Sequence, residues 1–518
     1  MLAQLIIHRM HTDEQSLSAA ARDTRQHSHA AMPAPDADRA LDRAVAHAKE
    51  WLHGIDSRSV ASTVDRATMR SRMPVSLPSA GSDAVDVIDE LVAIADGGLL
   101  GSASGRFYAW VIGGALPSTL GADFLTSVWD QNAGMFACAP AASAVEERAG
   151  EWLKEAFDLP RDASFAFTTG CQLAHVTALA AARYSVLEKA GWNITNDGVF
   201  GAPRIRVLTS IERHGSVDRA LRLLGFGSRD MIGLPITDDG QLEPETLARA
   251  LAESTGPTIV VLTAADLNIA AFDDFATLIP IAHAAGAWVH VDGAFGLFAR
   301  FSRSKSHLTN GVELADSWAT DCHKWLNVPY DSGVAIVRDA AAHRASMTIT
   351  ASYLAANTVA RDQIDWNPEF SRRARGFSVY AALRELGRDG LEALVDRCCE
   401  HAHAIVTGIG ALPGAELVRA SELNQGVVRF LDPRANASEE DHDRRTDATI
   451  AAINAGGEAF FSGTTWRGRR AMRVSVVNWR TGDEDVRRTI AAVTSGISAA
   501  AIALVSAPVN VLHQQVKS

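Results

Sequence analysis

Between Ser164 and Val337 the chain repeats one pattern: a short apolar run, a turn, then a stretch with helical spacing. The apolar runs are Ser164–Thr168, Ile205–Leu208, Met231–Leu234, Thr258–Leu262, Ala287–Val291, Ser317–Thr320 and Gly333–Val337. Helical stretches between them include Leu173–Leu187, Ser216–Leu224, Pro244–Ala252 and Asp274–Ala284. Runs this short and this continuously apolar fit strands buried on both faces, and the intervening helices let such strands lie parallel. The expectation is an α/β domain on a mostly parallel, seven-stranded sheet covered by helices.

The flanks read differently. Residues 1–35, rich in Ala, His, Asp and Ser, suggest a mobile tail. Residues 36–115 suggest an N-terminal helical and dimerisation segment, with helices over Ala37–Leu52 and Ala84–Ala95. The large domain, 116–377, opens with helices at Ser118–Trp129 and Ser143–Phe157, the second carrying Glu146 and Glu147 where a helix dipole favours acids. Residues 378–518 suggest a small C-terminal α+β domain. Its helices are Val379–Leu386, Leu391–Ile409 and Glu484–Ala492, with strands near Val427–Phe430 and Met472–Val477.

Composition narrows the function classes. A net charge of −12 argues against nucleic acid as the main partner, because binding a phosphate backbone needs a basic face. Five cysteines without a Cys-x-x-Cys pair suit a reducing compartment, and no metal site is expected. No apolar run reaches the roughly 18 residues that cross a bilayer, and the patch in MLAQLIIHRM is shorter than a signal-peptide core. A cytoplasmic protein without a membrane partner is expected.

In open α/β sheets, ligand sites lie at the carboxyl ends of strands, and four junctions there carry chemistry. Asp292 ends the run in WVHVDGAFG, and a buried carboxylate there can hold a heteroaromatic nitrogen protonated or simply cap a turn. Lys324 closes the next run, in DCHKW, where burial or neighbours that lower its pKa would let it form a Schiff base with an aldehyde. The turn Thr168-Thr169-Gly170-Cys171-Gln172 opens a helix, a place where backbone N–H groups bind phosphate. His214, after a strand and before a helix, can stack on a flat ring, move a proton, or be an ordinary loop histidine.

With these four in this order, the chain resembles the group II decarboxylases that use pyridoxal phosphate (PLP), including the aromatic-amino-acid and glutamate decarboxylases. The resemblance runs from about Gly105 to about Arg488 and is strongest at HVDGAFG and HKW. It implies PLP-dependent transferase fold type I and a homodimer with the site at its interface. It further implies that Lys324 holds PLP covalently, Asp292 pairs with the ring nitrogen, and His214 and Ala294 pack on opposite ring faces. Gly170, Cys171 and Gln172 would bind the phosphate with help from His323, and Asn268 would lie near the cofactor. Tyr353, in ASYLAAN, falls at the family's usual distance past the lysine and would return a proton to the substrate carbon.

The resemblance implies an amino-acid carboxy-lyase releasing CO₂ and an amine. Presence of both Tyr353 and His214 favours this over aldehyde synthesis; another PLP reaction and PLP binding without turnover are the alternatives, the last supported by Asp266 and Ile269 alone. A nicotinamide enzyme is disfavoured because no G-x-G-x-x-G follows the first strand. Trp110–Gly113 and Trp129–Phe136, mostly apolar, suit an aromatic or other apolar substrate. Arg372, Arg373, Arg375 and Arg473 are candidate carboxylate anchors, with structural ion pairs as the alternative. The chain departs from the family at Asp266 and Ile269, where many bacterial relatives carry an amide and a hydroxyl. An added carboxylate there would raise nearby pKa values and disfavour an acidic substrate.

Overall fold

The computed structural model describes residues 37–253, 255–349 and 360–506. The helices Ala37–Gly54, Arg66–Ser71 and Ala84–Ala95 belong almost wholly to one compact unit, made of the chain up to His53 and Arg66–Asp96. Gly54–Asp65 and everything from Gly97 onward form the other.

The second unit carries two sheets. Its large sheet contains β1 (Ser164–Thr168), β2 (Arg206–Ser210), β3 (Met231–Leu234), β4 (Thr258–Thr263), β5 (Trp288–Asp292), β6 (Ser317–Asp321) and β7 (Gly333–Val337). Their spatial order is β1-β7-β6-β5-β4-β2-β3. The pairs β2/β3, β2/β4, β4/β5 and β5/β6 are parallel, whereas β7 runs antiparallel to both neighbours. The fully buried pattern of β1, β5, β6 and β7 explains their continuous apolar runs. The seven strands and the helices Cys171–Lys189, Gly215–Leu223, Pro244–Ala252 and Phe275–Ala284 match the sequence reading to within a few residues.

The small sheet is antiparallel and has the order β10-β11-β9-β8, from β8 (Ala415–Arg419), β9 (Gln425–Phe430), β10 (Ser462–Trp466) and β11 (Arg469–Ser475). The strands β8 and β10 and the helix Glu439–Gly456 were not foreseen. β8 (AELVR) sets two charged residues among its five and buries none of them fully, and β10 holds Gly463, Thr464 and Thr465, so neither shows a clear apolar run. The two helices expected around GRDG form one path, Gly376–Gly410, interrupted at Gly387, whose φ of 59° suits glycine.

Glu146 departs from its expected role. It is buried on the helix Pro140–Ala156 and clamps the guanidinium of Arg372 at 2.8 and 3.0 Å instead of serving an exposed helix end.

Candidate active site

Parallel pairing of β5 with β6 sets Asp292 opposite Ala319, so both strands deliver their carboxyl ends to one place. Just beyond β6, the turn from Asp321 through Asn327 holds the lysine. Lys324 Nζ lies 3.0 Å from Asp321 Oδ2 and 5.7 Å from the Phe295 ring centroid. Burial works to lower the lysine's pKa, but Asp321, Cys171 and Asp292 outweigh it, and the pKa is raised. The condition that burial or neighbours lower the lysine's pKa is not met in this state, because a carboxylate that sequence spacing did not reveal faces the amine.

Asp292 is buried. Burial alone would raise its pKa, yet His175, His214 and the Ala294 amide hold it well below the usual carboxylate range. The Ala294 N–H donates to Oδ1 at 3.1 Å, and His175 Nε2 stands 3.5 Å from Oδ2. Ala294 packs with Cys171, Ala174, Ala319 and Ala335, small side chains that leave room above the sheet.

His214 caps the helix Gly215–Leu223, where its Nδ1 accepts the Ser216 amide, and it stands exposed. Partial burial, together with Lys324, lowers its pKa against the pull of Asp292. Gln172 reaches the same helix, its Nε2 donating to Ser216 O at 3.2 Å.

The phosphate-turn candidates show a different arrangement from the one expected. The Cys171 amide donates to Asp321 Oδ1 at 2.5 Å, so a protein carboxylate already occupies one helix-N-terminal donor. A Cβ at Gly170 would come within 3.1 Å of His323 and 3.2 Å of Asp321, which explains the glycine. His323 Nδ1 accepts the Ser332 amide, its Nε2 lies 3.4 Å from Asp321 Oδ1, and its ring lies 4.3 Å from that of Tyr330.

Asn268 is buried, and its Oδ1 accepts a hydrogen bond from Thr464 at 2.7 Å. Tyr353 lies outside the described residues, as does the whole tail 1–35.

Asp266 and Ile269 are not additions to a cofactor pocket. The Asp266 carboxylate accepts the amides of Asn268, Ile269 and Ala271, bracing its own loop. Ile269 packs with Ala271, Val427 and Ala471. The geometric basis for reading these positions as a sign of lost turnover is removed.

Three of the candidate arginines are structural. Both terminal nitrogens of Arg372 are engaged, by Glu146, Ala133 O and Phe167 O; Arg373 pairs with Asp123; Arg375 pairs with Asp331 and Glu369. Arg473 differs. It is buried and donates to Leu267 O and Ser462 Oγ, and no carboxylate lies within ion-pair distance among the described residues.

Four further residues escaped sequence reading. Asp321 ends β6 and bridges Lys324 with the Cys171 amide. His175 lies one helical turn after Cys171, and His290 two residues before Asp292 on the same strand face; these spacings were the available signal. Asn327 Oδ1 accepts the Gly114 and Trp479 amides, while its Nδ2 donates to Trp325 O and Val477 O. That one amide ties the lysine turn to two distant segments. Gly113 packs on the same turn so closely that a Cβ would sit 2.1 Å from Lys324 O.

Cys171, His175 and Asp292 offer ligand atoms within 4.8 Å of one another, a spacing that a metal ion can bridge. Each is already engaged with another member of the group. Burial and the two nearby carboxylates push the Cys171 thiol well up, which disfavours the thiolate a metal needs.

Residues 67–431 match the family model for the pyridoxal-dependent decarboxylase conserved domain. The chain belongs to this family. An L-2,4-diaminobutyrate decarboxylase of Rhizobium meliloti (strain 1021) is 30% identical over 73% of this chain and 75% of its own. An aromatic-L-amino-acid decarboxylase of Bacillus atrophaeus is 25% identical over 84% of this chain and 90% of its own. Oryza sativa TDC, crystallised with PLP and tryptamine, has the same fold, with a TM-score of 0.84 and 23% identity, covering 90% of this chain and 99% of that one.

A member of this family is a PLP-dependent carboxy-lyase, and the residues present fit the cofactor. A buried acid, a lysine one strand away and a glycine-opened helix converge, with small side chains between them. Among the described residues no helix is long and apolar enough to cross a membrane.

Proposed function

We propose that this family member decarboxylates an L-amino acid with an aromatic or other apolar side chain, exchanging the carboxylate on Cα for a proton and releasing CO₂ and the amine. The observation that carries this is the convergence of Asp292 and Lys324 at the carboxyl ends of parallel neighbours β5 and β6. Bound PLP supplies an electron-accepting ring for the bond that breaks. Lys324 would hold PLP, Asp292 would keep its ring nitrogen protonated, and His214 and Ala294 would bound the ring. The backbone N–H of Gln172, in the first turn of its helix, and His323 would face the phosphate. Tyr353 would return the proton.

The substrate class rests on the walls. Trp110 is half exposed and lies 6.0 Å from Phe107 and 5.8 Å from Phe460, on the segment that Gly113 packs against the lysine turn. An aromatic wall favours an apolar side chain, and Arg473 is the one candidate arginine left for the carboxylate.

The helix Pro117–Trp129 exposes Leu120, Phe124, Leu125, Val128 and Trp129. An apolar face of this extent supports a homodimer.

The test is a panel of amino acids with product identification by mass spectrometry. One amine with equimolar CO₂ from an aromatic or apolar amino acid is expected, abolished by Lys324→Ala. Turnover confined to acidic or cationic amino acids overturns the substrate class. Stoichiometric ammonia and peroxide overturn simple decarboxylation.

A further inference from the structure

Behind Asp292 runs a buried file of polar side chains that sequence reading did not connect. His175 Nδ1 lies 2.9 Å from His290 Nε2, His290 Nδ1 lies 2.9 Å from Ser317 Oγ, and Trp288 Nε1 donates to Ser317 Oγ at 2.9 Å. His175, His290 and Ser317 are fully buried, and Trp288 nearly so. The file starts at Asp292 Oδ2, 3.5 Å from His175 Nε2, and ends at the Trp288 indole.

Its two ends have fixed roles. An indole N–H only donates, and an ionised carboxylate only accepts. Ser317 Oγ therefore accepts from Trp288. Among the described residues its one remaining partner is His290, so the hydroxyl proton goes to His290 Nδ1 or to nothing. A buried hydroxyl proton without an acceptor costs about 1–3 kcal/mol. With Nδ1 accepting, neutral His290 carries its proton on Nε2 and donates to His175 Nδ1. Neutral His175 then carries its proton on Nε2, facing Asp292 and, at 3.3 Å, Cys171 Sγ.

The opposite polarity would leave a bare His175 nitrogen against a carboxylate and the Ser317 proton unmatched. Burial, the largest influence, pushes His290 down to about 3, in keeping with a ring that stays neutral.

We propose that Trp288, Ser317, His290 and His175 form a one-directional hydrogen-bond wire in which both histidines are neutral Nε2–H tautomers. This wire positions Asp292 as a permanently ionised partner for the ring nitrogen of PLP. The proposal rests on the reading of Asp292 given above. The groups around Asp292 that bear charge or titrate are Cys171 and His175 on the helix Cys171–Lys189, His214 at its helix start, His290 on β5, and Asp321 and Lys324 after β6. Two of these groups reach an Asp292 oxygen: His175, at the end of the wire, lies 3.5 Å from Oδ2, and the Cys171 thiol lies 3.9 Å from Oδ1.

The experiment uses ¹⁵N-histidine-labelled full-length protein, cofactor-free and PLP-loaded, with long-range ¹⁵N–¹H correlation spectra from pH 6 to 8. His175→Asn and His290→Asn identify the signals, and the isosteric Ser317→Ala covers the case in which those variants do not fold. Both rings are expected to show a protonated Nε2 and a bare Nδ1 throughout. A protonated Nδ1 on either ring, or a doubly protonated ring in this range, overturns the wire. In the loaded protein, ¹⁵N-labelled PLP is expected to show a protonated ring nitrogen, and Ser317→Ala is expected to weaken PLP binding roughly threefold to tenfold. Unchanged affinity in Ser317→Ala overturns the positioning role. Expected tautomers with no PLP bound by the wild-type protein would leave the wire standing and overturn the assignment of Asp292.

Discussion

Asp321 holds Lys324 and the first helical amide at once: Oδ2 lies 3.0 Å from Nζ, and Oδ1 accepts from the Cys171 N–H at 2.5 Å. In this state the carboxylate stabilises the charged lysine at the opening of the helix that begins at Cys171. Forming a Schiff base requires the neutral amine, and the Asp321 carboxylate opposes that deprotonation.

Asp321→Asn removes the largest influence that raises the Lys324 pKa. The pH profile for PLP capture by cofactor-free protein is expected to move to lower pH, making capture near neutrality faster. Stopped-flow absorbance at several pH values measures this. An unmoved profile would show that Asp321 does not set the lysine's charge.

Asn327→Ala is expected to destabilise the protein by on the order of 4 kcal/mol and to abolish PLP retention. Four backbone groups in Gly114, Trp479, Trp325 and Val477 lose their partner, and each buried orphan costs about 1–3 kcal/mol before relaxation. Denaturant unfolding and the bound-cofactor absorbance are the readouts. Wild-type stability would refute the role given to this amide.

Gly113→Ala places a methyl group 2.1 Å from Lys324 O. The lysine turn must shift, and a displacement of this order is expected to lower kcat at least 100-fold. Near-normal turnover would mean that the aromatic segment can slide off the turn at little cost.

The acid limb of stability follows from buried histidines. Burial pushes His290 and His343 down to about 3, below the ordinary value of 6.5. Groups with depressed folded pKa values contribute stability above 6.5 that is lost as pH falls toward 3, here at up to about 1.4 kcal/mol per pH unit for each ring. Asp273, raised to about 6 by burial, works in the opposite direction between about 4 and 6 and offsets one of them. Tm is therefore expected to fall from pH 7 to pH 4.5, with a shallower fall in His343→Gln. Equal slopes in the two proteins would contradict this account.

If the helix Pro117–Trp129 carries the dimer, Phe124→Asp with Val128→Asp is expected to yield a monomer by sedimentation velocity. Both side chains are exposed, so stability should change by less than about 1 kcal/mol. A dimer that survives the double substitution would place the interface elsewhere.

Much of the fold could be read directly from the chain. The runs from Ser164 to Val337 are apolar because both sheet faces are covered, and that signal is local. The same locality places Asp292, Lys324, Gly170 and His214 at strand ends. The strands β8 and β10 were hidden because charged residues interrupt the first and small or polar ones fill the second, leaving no apolar run to find. Arg372 looked like an anchor because its partner, Glu146, lies far away in the chain.

Residue order alone settled which side chains stand at the carboxyl ends of the strands, because strand and helix periodicity is written in neighbouring residues. Only the tertiary structure decided what those side chains face. The adjacency of β5 with β6, and the helix from Cys171 laid against them, bring Asp321 to Lys324 and His175 to Asp292. The charge of a buried group is a sum over neighbours in space. The raised lysine and the ionised aspartate are therefore properties of the packed sheet.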